Sequence, residues 1–495
     1  MTMLIPSLEN LLIRIIEAGQ KTFQSSRRNE AIPPTSFYLG KSPKLYNSLE
    51  REDIFLSSAE RTGHFYFIGG SGCGKTTLIE RCIQDNILQD KGWGLADAHG
   101  DVSWKLIKYL ASIWQRKQGR QKDEIAKRLI LVEPFNHYGI VGFNPLEISS
   151  GTTVYSCVLE MMNVFKSRWH DFGPRMEELF RTCLVTLAEN KLTLLEMPIL
   201  LTSKEARSSM VKNLTNQEIK SYWEDRYNKL SQANEVQYRE PVLNKITEFL
   251  TDENIRYMLG QTRSTLDFRR AMDDGRWVVL NIAKGKLKGN ALLLGGLFLA
   301  KLQLAALSRA DIDIHRRRPF YVYLDEFQNF IHAREGGDVE VLLCESKKYA
   351  VHMAAMAHQN LAQLDNSLLN AILGNVNGLF CFRLGYRDAM ALAPELSPAD
   401  KKMLSESLIK LRTGEAYMKI KGKPVRLVKI QLPASPYVHT KVVKEFKKAS
   451  LSFSSRPLAD VKKEIEERHR RLLAKKTTAI NPLHTKNPLE GQNGW

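Results

Sequence analysis

Nine consecutive residues of this chain have the types and spacing to bind the phosphates of a nucleotide: Gly69, Gly70, Ser71, Gly72, Cys73, Gly74, Lys75, Thr76 and Thr77. They match the pattern GxxxxGK[ST], and they lie between an apolar strand-like run and an amphipathic helix pattern. In such a loop, backbone N–H groups and the helix N-terminus surround a phosphate. Lys75 is predicted to neutralise the β- and γ-phosphates, while Thr76 holds Mg²⁺. The sequence therefore predicts a site for a magnesium-bound nucleoside triphosphate.

A pair of carboxylates, Asp325 and Glu326, follows a second apolar run at 320–324. Ligands of open α/β sheets collect at the carboxyl ends of strands, where this pair is expected to lie. Asp325 would contact Mg²⁺ directly or through a water, and Glu326 would polarise the attacking water as general base. The pair predicts hydrolysis of the nucleotide as well as its binding.

Two further polar groups follow apolar runs and are expected at the same edge. Gln359 comes after Met353–His358, where its amide would hydrogen-bond the γ-phosphate or the water, whereas His358 is expected to be structural. The segment Asp97-Ala98-His99-Gly100-Asp101 follows the run Gly94–Ala96. Its carboxylates would either join the Mg²⁺ shell or receive the helix of the phosphate loop. A separate metal site at His99 has few ligands nearby and is disfavoured.

The composition is that of a soluble globular protein with a basic surface. The 495 residues carry a formal charge of +18 and are 43% hydrophobic, so several domains and a polyanionic partner, nucleic acid first, are expected. The cysteines are scattered without a CxxC pair, which predicts reduced thiols in a cytoplasmic protein. The most apolar stretch, 291–307, contains Lys301 and Gln303 and is predicted to be a buried helix, so no integral membrane span is expected.

The chain divides by pattern into five segments. Residues 1–36 contain an amphipathic helix between Met3 and Phe23 and a polar linker. Residues 37–150 alternate strands and helices, 151–272 show only helical periodicity, and 273–435 return to alternation. The fold class predicted is α/β, with one RecA-like sheet covered by helices on both faces and interrupted by an all-α insertion. Residues 436–495 form a basic tail with a helix near 458–475 and twenty final residues expected to be disordered.

The ordered set of motifs resembles the HerA–FtsK superfamily, and within it the TraD/TraG-like coupling ATPases of conjugation and type IV secretion. The motifs that carry the resemblance are Gly69–Thr76, Asp97–Asp101, Gly142–Leu146, Gly173–Glu177, Leu324–Phe330 and His358–Gln359. The resemblance spans residues 37–435. It implies an ATP-hydrolysing motor, assembled as a hexameric ring, that threads DNA through its pore. It also implies that Lys75 and Thr76 bind phosphate and metal, Asp325 and Glu326 form the second metal-binding and catalytic pair, and Gln359 is the sensor.

The chain departs from the family at the residue that acts across the subunit interface. Relatives often place an Arg-Lys pair before the sensor strand, whereas Lys347 and Lys348 stand there, with one extra residue before Gln359. Lysine does not give the bidentate contact of a guanidinium. Arg383 and Arg387 are the alternative candidates.

Three functions remain open at this stage. The first is a DNA translocase for conjugative transfer of a mobile element, with a relaxosome or secretion-channel partner, recruited to the inner face of the membrane by that partner. The second keeps the motor for phage DNA packaging, or for DNA processing and defence with a partner nuclease. The third is an assembly ATPase that moves protein subunits of a secretion machine. Stimulation of hydrolysis by DNA separates the first two from the third.

Overall fold

The structure is a computed structural model that describes residues 36–474, apart from 45–46, 137, 170 and 331–336. The amphipathic helix expected between Met3 and Phe23 and the disorder expected for the last twenty residues lie outside the described residues.

Within this part of the chain, eleven strands form one sheet in the order β2-β1-β11-β10-β9-β3-β8-β7-β4-β6-β5. The seven strands from β9 to β5 are parallel, and the other four extend the sheet antiparallel beyond β9. The strands are β1 Phe37–Lys44, β2 Asn47–Leu56, β3 Phe65–Ile68, β4 Gly92–Asp97, β5 Leu129–Val132, β6 Trp277–Asn281, β7 Phe320–Asp325, β8 Val351–His358, β9 Gly378–Cys381, β10 Glu415–Ile420 and β11 Arg426–Ile430.

Helices cover both faces of the sheet, as expected for parallel strands joined by crossover connections. In chain order the α-helices are Ser58–Arg61, Lys75–Leu88, Asp101–Trp114, Gly119–Arg128, Val154–Arg168, Pro174–Glu189, Met197–Thr202, Lys204–Lys212, Gln217–Ser221, Gln232–Leu250, Glu253–Leu259, Phe268–Asp273, Lys284–Leu287, Asn290–Ser308, Gly337–Glu345, Asn366–Asn375, Tyr386–Leu396, Lys401–Lys410, Thr440–Ser454 and Leu458–Leu473. The fold is therefore the α/β RecA-like sheet predicted from the sequence.

Successive residues of the central strands feed two separate cores, because side chains alternate between the faces of a strand. In β3, Phe65 and Phe67 pack under the phosphate-loop helix Lys75–Leu88, whereas Tyr66 and Ile68 face the opposite core. Every residue of β3, β4, β7 and β8 is buried. Continuous apolar runs predicted these strands well for that reason.

The segment 151–272 is helical throughout its ordered elements, among the residues that the structure describes. Its two ends meet at a neck built by the Gly142–Leu146 motif. The Gly142 N–H donates to Thr265 Oγ1 at 2.8 Å, and the Asn144 N–H donates to Ser264 Oγ at 2.8 Å. These bonds join the chain that enters the helical segment to the chain that leaves it, and helix Val154–Arg168 also packs against helix Asn290–Ser308. The strands on either side can therefore belong to a single nucleotide-binding unit.

The C-terminal segment contains the helix expected near 458–475, as Leu458–Leu473, and a second helix, Thr440–Ser454, before it. Helix Thr440–Ser454 packs onto the sheet domain, where Phe446 is buried against Trp114 and Lys447 pairs with Glu133 at 2.6 Å. Helix Leu458–Leu473 contacts the helical segment, where Arg468 pairs with the buried Glu196 at 3.0 Å. Both helices are integral to the fold, because apolar residues recur at helical spacing among the lysines.

One helix, Asn290–Ser308, is long and apolar enough to cross a membrane. Fourteen of its residues are buried, and 83% of its most apolar window lies inside the protein. It is the buried core helix that the sequence predicted.

Candidate nucleotide site at the sheet edge

Four neighbouring parallel strands end at the same edge and bring the candidate residues together. The phosphate loop follows β3, the segment with His99 follows β4, Asp325 and Glu326 stand at the end of β7, and Gln359 follows β8. In the sheet order β3-β8-β7-β4 these four segments are adjacent, although they are far apart in the chain. The sheet edge therefore assembles the groups predicted from the sequence.

The phosphate loop has a backbone that requires glycine. Gly74, which begins helix Lys75–Leu88, has φ +116°, a conformation that residues with a side chain rarely adopt. A Cβ at Gly69 would lie 2.6 Å from Phe382 Cβ and 2.9 Å from Cys73 Sγ, too close for any side chain. The loop is thus folded tightly against the strand β9 end, with its N–H groups at the start of a helix.

The Lys75 ammonium lies inside this loop. It is buried and donates to the carbonyl oxygens of Gly69 and Gly70 at 2.6 and 2.9 Å. Cys73 is buried next to it, and burial raises the pKa of the Cys73 thiol. A neutral buried thiol suits a small side chain that fills space in the loop rather than a nucleophile.

Thr76 and Asp325 meet across the two motifs. The Thr76 hydroxyl donates to Asp325 Oδ2 at 3.4 Å. Burial raises the pKa of Asp325 to about 6, with further contributions from the charges of Asp97 and Glu326, against the opposing effect of Lys75. A hydroxyl oxygen and a buried carboxylate are oxygen donors of the kind that suit Mg²⁺. These two residues would hold the metal.

Three side chains hold the carboxylate of Glu326. His99 Nε2 donates to Oε2 at 2.8 Å, Asn329 Nδ2 donates to the same oxygen at 3.3 Å, and Gln359 Nε2 donates to Oε1. Burial acts to raise the pKa of Glu326, but the hydrogen bond and charge of His99 and the bonds from Gln359 and Asn329 outweigh it, so the pKa is lowered. Glu326 has φ +53°, a left-handed conformation that is uncommon outside glycine.

The Asp97 carboxylate accepts hydrogen bonds from its own loop and the following helix, and does not lie free for the Mg²⁺ shell, one of the two roles expected for it. One of its oxygens accepts from the N–H groups of His99 and Gly100 at 3.0 and 2.8 Å, and the other accepts from Ser103 N and Oγ, both at 2.8 Å. Both oxygens are committed to the loop that presents His99. Over the part of the chain that the structure describes, no cluster of three His, Cys, Asp or Glu residues forms a separate metal site.

The extra residue before Gln359 is absorbed by an irregularity in β8. Val322 pairs with Met353, but the next residue, Tyr323, pairs with Ala355, so Ala354 is unpaired in the register. This bulge lets Gln359 reach Glu326 at the strand end. His358 before it is buried, and burial and the charge of Lys75 lower its pKa to about 4. A neutral His358 agrees with the structural role expected from the sequence.

The candidates for a residue acting across an interface lie in two places. The Arg383 carbonyl accepts from the Gly70 N–H at 2.9 Å, so Arg383 flanks the phosphate loop of its own chain with an exposed side chain. Lys348 pairs with Glu345 at 2.8 Å, and Arg387 is exposed on helix Tyr386–Leu396. None of them is among the groups that contact Glu326 or Lys75 in this chain.

Sequence reasoning missed that His99 and Asn329 hold Glu326. A signal existed for Asn329, which follows Glu326 by three residues on a single helical turn, Phe327–Asn329. The signal for His99 was weaker, since its contact depends on β4 being the neighbour of β7.

The fold is the RecA-like fold of P-loop nucleotide-binding proteins, and the site lies where such proteins bind phosphate. No protein-family model matches the sequence, and no curated protein sequence matches it. The similarities found are to solved structures, and at their low sequence identity they show a shared fold only.

The chain shares the fold of the HerA–FtsK-type ATPases. It is similar to unbound TrwBΔN70, a bacterial conjugative coupling protein, with 12% identity, 86% of this chain and 92% of that chain covered, and a TM-score of 0.51. For TrwB with the ATP analogue ADPNP, the identity is 13%, 87% of this chain and 94% of that chain are covered, and the TM-score is 0.51. VirB4 of Thermoanaerobacter pseudethanolicus gives 13% identity, coverage of 83% and 98%, and a TM-score of 0.52.

Proposed function

We propose that this protein is an ATP-hydrolysing DNA translocase. The observation that carries the proposal is the joint arrangement of the two motifs: Thr76 contacts Asp325, and Gln359 contacts Glu326. A triphosphate bound at the glycine loop would thereby have a metal position, a base and a γ-phosphate sensor within one edge of the sheet. The likeness in fold to TrwB, which has been solved with ADP and Mg²⁺ and with ADPNP, supports ATP and Mg²⁺ as the ligands.

The residues divide the chemistry among themselves. Lys75 and the loop N–H groups would bind and orient the phosphates, and Thr76 and Asp325 would position the metal, which supplies charge neutralisation when bound. Glu326 would accept the proton of the attacking water, and the amide of Gln359 would orient the base and contact the γ-phosphate. Burial of Asp325 and Lys75 keeps these charges in a poorly solvated site, where they act strongly.

DNA is the proposed substrate of the motor. The formal charge of +18 favours a polyanion, and TrwB, which shares the fold, is a conjugative coupling protein. By the same likeness we propose a cytoplasmic, hexameric ring for conjugative transfer or type IV secretion, with a relaxosome or channel protein as partner. The helical segment 151–272 is proposed as an insertion domain that selects substrate.

The test is the ATPase rate of the full chain with and without single- and double-stranded DNA. DNA should stimulate turnover, and Lys75→Ala should abolish it, since removing one charge-stabilising donor commonly costs about 10²–10³ in rate. Lys117→Ala, an exposed lysine beyond helix Asp101–Trp114, is the matched control and should keep wild-type turnover. Turnover in Lys75→Ala would argue against the site, and hydrolysis indifferent to DNA would favour a protein substrate.

A further inference from the structure

A short lysine-rich segment lies beside the candidate catalytic base. It begins shortly after β6 and reads Lys284-Gly285-Lys286-Leu287-Lys288. Its three lysines are exposed, while Leu287 is buried and anchors the turn. No ion pair involves these lysines among the residues that the structure describes. Three positive charges therefore face solvent without acidic partners.

Two hollows meet at this segment. One has a volume of about 390 Å³ and is lined by Lys284, Asn329, Glu326 and Gln359. The other has a volume of about 200 Å³ and is lined by Lys284, Lys288, Arg168 and Asn329. Lys284 and Asn329 line both, so the basic hollow adjoins the one that contains the base.

The segment touches the groups that hold Glu326 by two routes. Lys284 Nζ donates to Asn329 Oδ1 at 3.0 Å, and Asn329 Nδ2 donates to Glu326. The Lys284 N–H donates to the Ala98 carbonyl at 2.8 Å, next to His99, whose ring also donates to Glu326. Lys284 is thus bonded to one of the three donors on the base, Asn329, and to the residue that precedes a second one, His99.

The backbone on both sides of the segment is strained. Ala283 has φ +25° and ψ 74°, and Lys288 has φ +50° and ψ −129°, both outside the regions that residues with side chains prefer. Such strain is concentrated at ligand clamps and switch regions. A short turn bounded by two strained residues can change conformation when a ligand takes over its contacts.

We propose that Lys284, Lys288 and Arg168 bind backbone phosphates of DNA, and that the chain Lys284–Asn329–Glu326 couples this binding to hydrolysis. A phosphate oxygen that accepts from Lys284 competes with Asn329 Oδ1, which frees Asn329 and changes its hold on Glu326. The lysines make point-charge contacts that carry no base information, so the site is indifferent to sequence. This inference rests on the proposed function, because it assigns a contact site for the substrate of that motor.

The first test measures DNA binding as a function of salt. Lys284→Met with Lys288→Met should weaken binding of a labelled single-stranded oligonucleotide and reduce the slope of log affinity against log salt by about 0.7 for each phosphate that the variant no longer neutralises. Lys286→Met is the matched control. It removes one positive charge from the same turn, but the Lys286 Nζ lies 3.8 Å from the centroid of the Phe135 ring and outside both hollows. It should keep most of the wild-type slope.

The second test separates binding from coupling. Asn329→Leu should keep the oligonucleotide affinity and salt slope of the wild type, yet lose most of the stimulation of ATP hydrolysis by DNA. Lys284→Met should lose both, and Lys284→Arg should restore both, because a guanidinium keeps the charge and a donor to Asn329. A melting shift on addition of ATP and Mg²⁺ verifies that each variant is folded.

The outcomes distinguish this inference from the proposed function. If DNA stimulates the wild type and Lys284→Met equally, with the same salt slope, the inference is overturned and the motor stands. If the wild type neither binds DNA nor responds to it, the proposed function fails and this site fails with it. If inorganic phosphate stimulates turnover as the oligonucleotide does, the site takes a free anion and the assignment to DNA is overturned.

Discussion

Asp97 and Asp325 are direct register partners at the ends of β4 and β7, and both side chains are buried. Asp97 satisfies its oxygens with four donors from its own loop and serine, whereas Asp325 receives one hydroxyl at 3.4 Å. Where two carboxylates lie side by side, the charged form is less stable in the one that accepts fewer hydrogen bonds, here Asp325. Binding of a cation would stabilise that charged form.

The first prediction follows from the pKa of Asp325, which burial and the neighbouring acids raise to about 6 from an ordinary 3.8. Between these values the folded protein binds more protons than the unfolded chain, so the contribution of Asp325 to stability is lost as pH rises through this window. Asp325→Asn should therefore stabilise the nucleotide-free protein near neutral pH by up to roughly 3 kcal/mol, with little gain below the ordinary pKa. Chemical denaturation across this pH range measures the difference.

Asp123→Asn is the control for this experiment, because Asp123 is exposed on helix Gly119–Arg128. It should change stability little at any pH. In Asp325→Asn, ATP together with Mg²⁺ should stabilise the folded protein no more than ATP alone does. A pH-independent difference between wild type and Asp325→Asn would contradict the raised pKa.

The second prediction concerns Glu326→Gln. The amide cannot accept a proton, so turnover should fall by about 10²–10⁴. Binding of ATP should persist, because the phosphate loop and the pair of Thr76 and Asp325 remain. Glu466→Gln, at an exposed glutamate on helix Leu458–Leu473, serves as the control. Rapid hydrolysis by Glu326→Gln would assign the base to another group.

The third prediction tests the hold of His99 on the base. His99 donates to Glu326 at 2.8 Å, and this contact counteracts the tendency of burial to raise the pKa of Glu326. In His99→Gln the pKa of Glu326 should rise, so the acidic limb of kcat against pH should move to higher pH. His315→Gln, at an exposed histidine, should leave the limb in place. An unmoved limb in His99→Gln would mean that His99 does not act on the base.

The central strands were accessible from sequence for a physical reason. Residues such as Phe320–Leu324 are buried on both faces, so they form continuous apolar runs bounded by polar loops. Strands β10 and β11 gave no such signal, because exposed or partly exposed residues alternate with buried ones along them. The antiparallel extension of the sheet therefore emerged only from the structure.

The parts of the site that lie within one short motif were predictable from the sequence. The contacts between segments that follow different strands were not. Lys75 and Thr76 are adjacent in the chain, so their types alone indicated their roles. His99 reaches Glu326 because β4 lies next to β7, and Lys284 reaches Asn329 because β6 and β7 lie on either side of β4. Pairings between strands far apart in sequence are not encoded in any short window.

The last prediction tests whether the C-terminal helices are part of the fold. Phe446 on helix Thr440–Ser454 is fully buried, with its ring 5.7 Å from that of Trp114. Phe446→Ala should lower the free energy of unfolding by about 3–5 kcal/mol, the usual cost of deleting a buried aromatic side chain. Denaturant unfolding followed by circular dichroism gives the value.

Phe453→Ala is the matched control, since Phe453 lies on the same helix but is 46% exposed. Its truncation should cost much less, because less apolar area leaves contact with the protein. Polar contacts also hold this helix to the sheet domain: Ser450 Oγ donates to the Leu129 carbonyl at 2.8 Å, and Lys447 pairs with Glu133. Equal, small effects of both substitutions would mean that this helix is a detachable basic tail, free to act on DNA rather than to complete the core.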